Sequence, residues 1–268
     1  MNELCFLGTG GAIPHKNRSN AALVLNSQED LVLIDCPGDA FVKLKQMNLD
    51  PRCISSVFIT HIHPDHVYGL PSLIHSLMLN DMTLSVFGSE ETVVFCKKLL
   101  SLFNLLDEKV KCRVRFNRIG PNEHFQLLPL SWATSIKTPH HSSSLGVFLE
   151  LNDELGLLYS GDIPVYPPLF KGIGNPDILI HDCSAPSRFF RKFPSLSQMH
   201  THSLDLGKLA QQAGVKCLIP IHFFGELDYS MEEIKTEIKE NYQNRLIIPK
   251  DLDRLRLSAS LLTTKDKT

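Results

Sequence analysis

Thr60-His61-Ile62-His63-Pro64-Asp65-His66 sets four good donors for a divalent metal within six residues. The stretch follows the apolar run Ile54-Ser55-Ser56-Val57-Phe58-Ile59, which reads as a short buried strand ending where the donors begin. Pro64 can neither continue a ladder nor sit inside a helix, so the donors are expected on a tight loop. In an extended or turning backbone His61 and His63 can point the same way and grip one ion. Asp65 and His66 follow the turn and are free to face a second. Imidazole and carboxylate donors without thiolate suit zinc, with manganese, iron or cobalt as competitors. A surface loop that is merely rich in histidine is the bland alternative, and the spacing behind a strand argues against it.

Working outward, 268 residues with 43% hydrophobic content can bury a large core. We expect one domain over residues 1–260 and a disordered polar tail over 261–268. A net charge of −2 excludes a generally basic nucleic-acid coat, though not a local patch. Seven scattered cysteines with no Cys-x-x-Cys pair fit reduced thiols. The chain shows neither a signal-peptide pattern at Met1-Asn2-Glu3-Leu4 nor a run of about 18 apolar residues. A cytoplasmic protein with no membrane partner is expected.

Toward the N-terminus, Leu4 to Leu7 reads as a strand stopped by Gly8-Thr9-Gly10-Gly11. The glycines suggest a tight turn rather than a phosphate loop, because Gly-Lys-Ser/Thr is missing. Two further strands, Ala22 to Leu25 and Leu31 to Ile34, flank a turn over Asn26 to Asp30, and Asp35 ends the second. A buried acid there could orient the metal loop from behind. Toward the C-terminus, helical spacing appears over Leu70 to Leu79, and Ser89 caps a helix carrying Val93, Cys96, Leu100 and Phe103. Lys109, Lys111, Arg113 and Arg115 alternate with apolar residues, so a strand with one basic face is expected. That face is an ordinary solvated one or a patch for a phosphate-bearing substrate.

The strand over Ser131 to Ile136 runs into Thr138-Pro139-His140-His141, and a hairpin around 152–154 leads to Ser160-Gly161-Asp162. A carboxylate at a strand end after glycine is well placed to bridge two ions. Asp177 to Ile180 is a strand ending in His181-Asp182. Residues 184–202, with their prolines, serines and Arg188-Phe189-Phe190-Arg191-Lys192-Phe193, read as an exposed lid. A helix over Leu204 to Gln212 closes at Gly214, and the strand from Val215 to Ile221 delivers His222. Ser230 with Glu233 is a capping box, and Leu252 to Leu257 is the last strand.

The series His61-x-His63-x-Asp65-His66, His140, Ser160-Gly161-Asp162 and His222 resembles the metallo-β-lactamase superfamily. The resemblance covers about 250 residues and implies an α/β fold, a four-layer αβ/βα sandwich of two similar halves. It also implies two divalent metal ions, zinc first with manganese or iron as alternatives. His61, His63 and His140 would hold one ion, Asp65, His66 and His222 the other, and Asp162 would bridge them. His141 rivals His140, but in the ribonuclease Z-like branch the third histidine precedes a glycine by six residues, and Gly146 favours His140.

Two ions a few ångströms apart lower the pKa of a bridging water, so hydrolysis is the natural outcome. Leu7 to Gly11, Thr138-Pro139-His140 and Met199-His200-Thr201 resemble the ribonuclease Z group, whose extra histidine beside the leaving group matches His200. Asp182 could orient His200, and His202 competes for the same role. Asp162 follows His140 by only 22 positions, with no room for the long arm that grips transfer RNA. The layout resembles the compact phosphodiesterases. A hydrolase of small, cyclic or single-stranded phosphodiesters is therefore expected, with Asp65 and His200 taking part in catalysis. A thioester or lactone hydrolase of the same fold, or an arm-less ribonuclease Z-like endonuclease, is the alternative. Its partner would be a small-molecule or oligonucleotide phosphodiester, and a homodimer is compatible with this reading.

Overall fold

Alternation of side chains across fourteen strands builds two sheets that share one apolar interior, in a computed structural model describing residues 2–27, 30–128, 131–151 and 155–263. The first half contributes β1 (Asn2–Gly8), β2 (Ala22–Ser27), β3 (Asp30–Ile34), β4 (Ile54–Phe58), β5 (Met82–Gly88) and β6 (Cys112–Arg118). The second contributes β7 (His124–Leu128), β8 (Ser131–Lys137), β9 (Leu145–Leu151), β10 (Leu155–Tyr159), β11 (Ile178–Asp182), β12 (Cys217–Ile221) and β13 (Arg245–Leu246). The last strand, β14 (Arg254–Leu257), returns to pair with β1. Spatially the sheets run β14-β1-β2-β3-β4-β5-β6 and β13-β12-β11-β10-β9-β8-β7.

In β3, Val32 and Ile34 face the second sheet, while Leu31 and Leu33 face outward. In β11, Ile178 and Ile180 meet the interior and Leu179 looks out. The outer face of the first sheet is covered by α1 (Ala40–Gln46), α3 (Gly69–Leu77) and α4 (Glu90–Leu102). The outer face of the second carries α6 (Ser203–Gln212) and α7 (Met231–Lys239). The result is the expected four-layer αβ/βα sandwich of the metallo-β-lactamase type.

Several local expectations need correction. Pro64 does not hold a loop open but opens the short helix α2 (Pro64–Val67), with His63 just before it. A proline at the first helical position is tolerated because its missing N–H would have no intrahelical partner there. Residues 184–202 are not simply an exposed lid. They form α5 (Ser187–Lys192), whose Phe189 and Phe190 are buried beside Ala185, leaving Phe193 exposed. Ser187 N and Oγ bind the carboxylate of Glu237 on α7, which seats this helix on the body of the protein.

The basic strand face begins only at Cys112, so of the four alternating cations Arg113 and Arg115 lie on β6. Half of the capping box forms: Ser230 Oγ accepts from Glu233 N, but the Glu233 carboxylate reaches Arg188 instead of returning to the cap. At the C-terminus, α8 (Ser260–Thr263) buries Leu261 in the interior, so the expected tail does not begin at 261. Residues 264–268 lie outside the described residues, as do 28–29 and 152–154 of the two expected turns. All seven cysteines are free, and no helix among the described residues is long and apolar enough to cross a membrane.

Candidate metal centre

Strand ends deliver the candidate donors to one rim. His61 and His63 follow β4, His140 follows β8, Asp162 follows β10, and His222 follows β12. Gly161 turns the chain into Asp162 with a φ of +61°, a region open to glycine at no steric cost. Asp35 and His222 end their strands with φ of +61° and +65°. Non-glycine residues seldom adopt this conformation, and such strain gathers where side-chain aim matters.

Two clusters form around one oxygen. In the first, His61 Nε2 lies 3.0 Å from His63 Nδ1, which lies 3.2 Å from His140 Nε2. Asp162 Oδ2 is 3.8 Å from His61 Nε2 and 3.7 Å from His140 Nε2. In the second, the same oxygen is 3.4 Å from His66 Nε2 and 3.1 Å from His222 Nε2. Asp65 Oδ2 completes that group, at 3.3 Å from His66 Nε2 and 3.6 Å from His222 Nε2.

The partners behind the rings decide which nitrogen carries the proton. His140 Nδ1 is 2.8 Å from the carbonyl of Met199, which can only accept, so Nδ1 donates and Nε2 keeps a lone pair. His66 Nδ1 donates likewise to Asp35 Oδ2 at 2.8 Å. His61 Nδ1 meets Thr60 Oγ1 at 3.0 Å, and that hydroxyl also lies 3.0 Å from both oxygens of Asp35. Behind His222 Nδ1 stand Ser184 Oγ at 3.4 Å and Asp182 Oδ1 at 3.8 Å. The Nε2 atoms of His66 and His222 are buried with no hydrogen-bond partner. Imidazole nitrogens and carboxylate oxygens crowded together in this way fit divalent cations.

Electrostatics divide the clusters. Burial, then the His66 imidazole, pushes His61 well below its ordinary pKa. Burial, then His140, lowers His63, and burial lowers His140. Burial also opposes charge on His66 and His222, yet the surrounding carboxylates override it, with Asp162 foremost. His66 is raised well above its ordinary value and His222 to about 10. Burial alone would raise Asp65 and Asp162, but His222 and His66 hold both below the usual carboxylate range.

His200 stands on the same rim. Its Nδ1 is 2.8 Å from Asp182 Oδ2, its ring stacks on His222 at 5.2 Å, and His140 is 5.0 Å away. His202 has the other role weighed for this pair: its Nδ1 accepts from Asp205 N and caps α6. His141 approaches His63 at 5.3 Å between ring centroids, but its Nδ1 is occupied by Ser143 Oγ and N.

Sequence reasoning did not single out Tyr159, whose buried hydroxyl donates to Asp35 Oδ2 at 3.2 Å from the opposite sheet. It also overlooked Phe224, whose ring packs edge-on to His200 and His222. Ser184, the first residue of the 184–202 segment, donates to Asp182 Oδ1 at 2.7 Å. Adjacency to His222 was a signal for Phe224; Tyr159 carried none.

A family model described as "Anti-Pycsar protein Apyc1" matches residues 2–223. A ribonuclease Z of Methanosarcina acetivorans is 24% identical, with 96% of this chain and 98% of that protein covered. Among solved structures, the metallo-β-lactamase fold protein YhfI from Bacillus subtilis superposes with a TM-score of 0.80 at 18% identity, covering 95% and 98% of the two chains. The short form of human tRNase Z gives 0.77 at 19% identity, covering 96% and 99%. These structural likenesses carry the fold.

Proposed function

This chain belongs to the family of the anti-Pycsar protein Apyc1, and from that footing we propose that it is a binuclear metal-dependent phosphodiesterase. The observation that carries the reading is the convergence of six side chains on Asp162 Oδ2 in two clusters. His61, His63 and His140 are assigned to one ion, Asp65, His66 and His222 to the other, and Asp162 to both. Zinc is the first choice for this donor set, with manganese or iron as alternatives. Divalent ions held there would supply Lewis acidity toward a phosphodiester and lower the pKa of the attacking water.

The chain's own residues do the rest. Asp35 holds the His66 ring in one orientation, and the Met199 carbonyl does the same for His140. Asp65 sets a carboxylate oxygen beside His66 and His222, where it would help orient the reacting groups. Asp182 fixes the aim of His200 through Nδ1, and the ring so held, when protonated at both nitrogens, would hand its Nε2 proton to the departing oxygen and regain one from solvent. The preferred substrates are small, cyclic or single-stranded phosphodiesters.

A second reading, an arm-less ribonuclease Z-like endonuclease, is favoured equally by the relatives named ribonuclease Z. Cleavage of precursor tRNA at its 3′ side separates the two, because β9 and β10 are joined by a short hairpin with no arm between His140 and Asp162.

The test is a hydrolysis panel on metal-loaded protein, using bis(p-nitrophenyl) phosphate, cyclic nucleotides, precursor tRNA, a lactone and a thioester. Turnover of the phosphodiesters supports the proposal, and turnover of the lactone or thioester alone defeats it. In the same panel His200→Ala should keep its metal and lose about 10² to 10⁴ in rate where the leaving group is poor. With p-nitrophenolate, which needs no proton, the loss should be far smaller. Equal losses on both kinds of substrate would reject the proton-donor role.

A further inference from the structure

The basic strand β6 takes no part in the chemistry proposed for the metal centre. It is the edge of the first sheet, as β7 is of the second, so the sandwich is open along this side. Between the two edges runs a groove of about 770 Å³, a size that suits a small organic ligand. Register sets Ser56, Ser85 and Arg115 side by side across β4, β5 and β6, with Thr83 one inward position away on β5. This row shares the face of Phe58 and Phe87, which look into the interior. Inward positions of a sandwich ordinarily supply apolar core, and here the row is polar from strand to strand. None of the lining residues is a metal donor, and Ser56 precedes His61 by five positions, about 15 Å of extended chain.

The donors in the groove are free. Among the described residues the Arg115 guanidinium makes no hydrogen bond or ion pair, and neither hydroxyl of Thr83 and Ser85 has a partner. Ser55 Oγ, also on the lining, is shut off from solvent with no hydrogen-bond partner. A buried hydroxyl left in that state costs free energy. Glu123, the acid on this lining, is committed through Oε2 to the Gly120 N–H at 2.7 Å. Arg118 gives one nitrogen to the exposed Glu90 at 3.0 Å, a surface pair that holds it weakly.

A planar guanidinium among hydroxyls, with no free carboxylate opposite, is the chemistry that receives an anion. The donors outnumber the two oxygens of a carboxylate and match the three of a phosphate monoester. We propose that this groove is a binding site for a phosphate monoester, apart from the metal centre. Arg115 takes two of the oxygens through its fork, and Ser85 and Thr83 take the third. The organic part lies toward Phe87 and Phe125, whose stacked rings are 5.6 Å apart on the same lining. The site does not depend on the phosphodiesterase reading.

The experiment is calorimetric titration of the metal-loaded full chain with phenylphosphonate, an unhydrolysable analogue of a phosphate monoester, and with benzoate, the matching carboxylate. Wild type should bind one phenylphosphonate per chain that Arg115→Gln loses or binds about tenfold or more weakly, the scale of one or two charge-assisted hydrogen bonds. Ser85→Val, which adds bulk to the groove without changing charge, should weaken the same binding event at an unchanged melting temperature. Lys98→Gln, which removes an equal charge from exposed α4 on the other side of the sheet, should leave that event intact. Benzoate should bind there more weakly than phenylphosphonate. Unchanged phenylphosphonate binding in Arg115→Gln and Ser85→Val, an equal loss in Lys98→Gln, or benzoate bound as tightly would each overturn the proposal.

Discussion

Around His61, His63 and His140 the cluster draws on one carboxylate, the shared Asp162, and burial pushes the imidazoles below their ordinary pKa. Around His66 and His222 it draws on Asp65 as well as Asp162, with Asp35 and Asp182 behind the rings. There the carboxylates raise the imidazoles above their ordinary values despite full burial. The same residue types therefore make two unlike places. A cation entering the second cluster meets more negative charge, and it replaces the protons that those carboxylates otherwise attract. The first cluster is less charged and more open, since His63 is only half-buried. The difference teaches that two ions, if held as proposed, should not be equivalent.

The most damaging break is at the shared atom. Asp162→Ala should empty both clusters together and lower kcat/KM on bis(p-nitrophenyl) phosphate by more than about 10³-fold, given the several kcal/mol that metal ions supply. Elemental analysis and steady-state kinetics read this out. One ion retained at full affinity would make Asp162 a terminal residue of a single cluster.

Asp35→Asn tests what stands behind the second cluster. Its loss should weaken binding there by about 10- to 100-fold, the usual range for a partner of a metal-bound histidine. Competition against a zinc chelator measures both sites, and the tighter should move toward the weaker. Equal weakening at both would mean that Asp35 acts through Thr60 and His61 as much as through His66, which its bonds to Thr60 make a concrete alternative.

With the wild-type chain, chelator titration should remove the ions in two steps separated by on the order of tenfold in affinity, the worth of one extra partly screened charge. The first ion to leave should come from the His61, His63 and His140 group. His63→Ala should abolish the weaker step alone. A single step for both ions would erase the distinction drawn from the charges.

His202→Ala should have the smallest effect, since His202 serves α6 rather than either cluster. A loss of about 1 kcal/mol in urea denaturation, with metal content unchanged, is expected for a removed helix cap. A loss of turnover on substrates with poor leaving groups, at unchanged fold, would mean that the assignment of roles to His200 and His202 is reversed.

Much of the framework is readable from local pattern. Period-two alternation marks β3 and β4, and Ser89 caps α4 through Thr92 N as its position implies. Misreadings occur where a residue has two local uses. Proline breaks a helix interior but starts a helix well, and Pro64 starts one. A serine- and proline-flanked aromatic run resembles an exposed loop until Glu237, arriving from another helix, anchors its first turn.

By itself the sequence determined the donor types, their spacing around the 61–66 turn and the strands that carry them, because these depend on neighbours along the chain. It also limited the hairpin between His140 and Asp162 to a length with no arm. Tertiary structure decided which of two close histidines, His200 or His202, faces the centre, since Asp182 and Asp205 compete for them from different elements. It decided that Tyr159 would reach Asp35 across 124 residues of chain, and that Phe224 would border the centre. Such contacts depend on how two sheets pack face to face, and period-two alternation records which side of a sheet a residue takes without recording what it meets there.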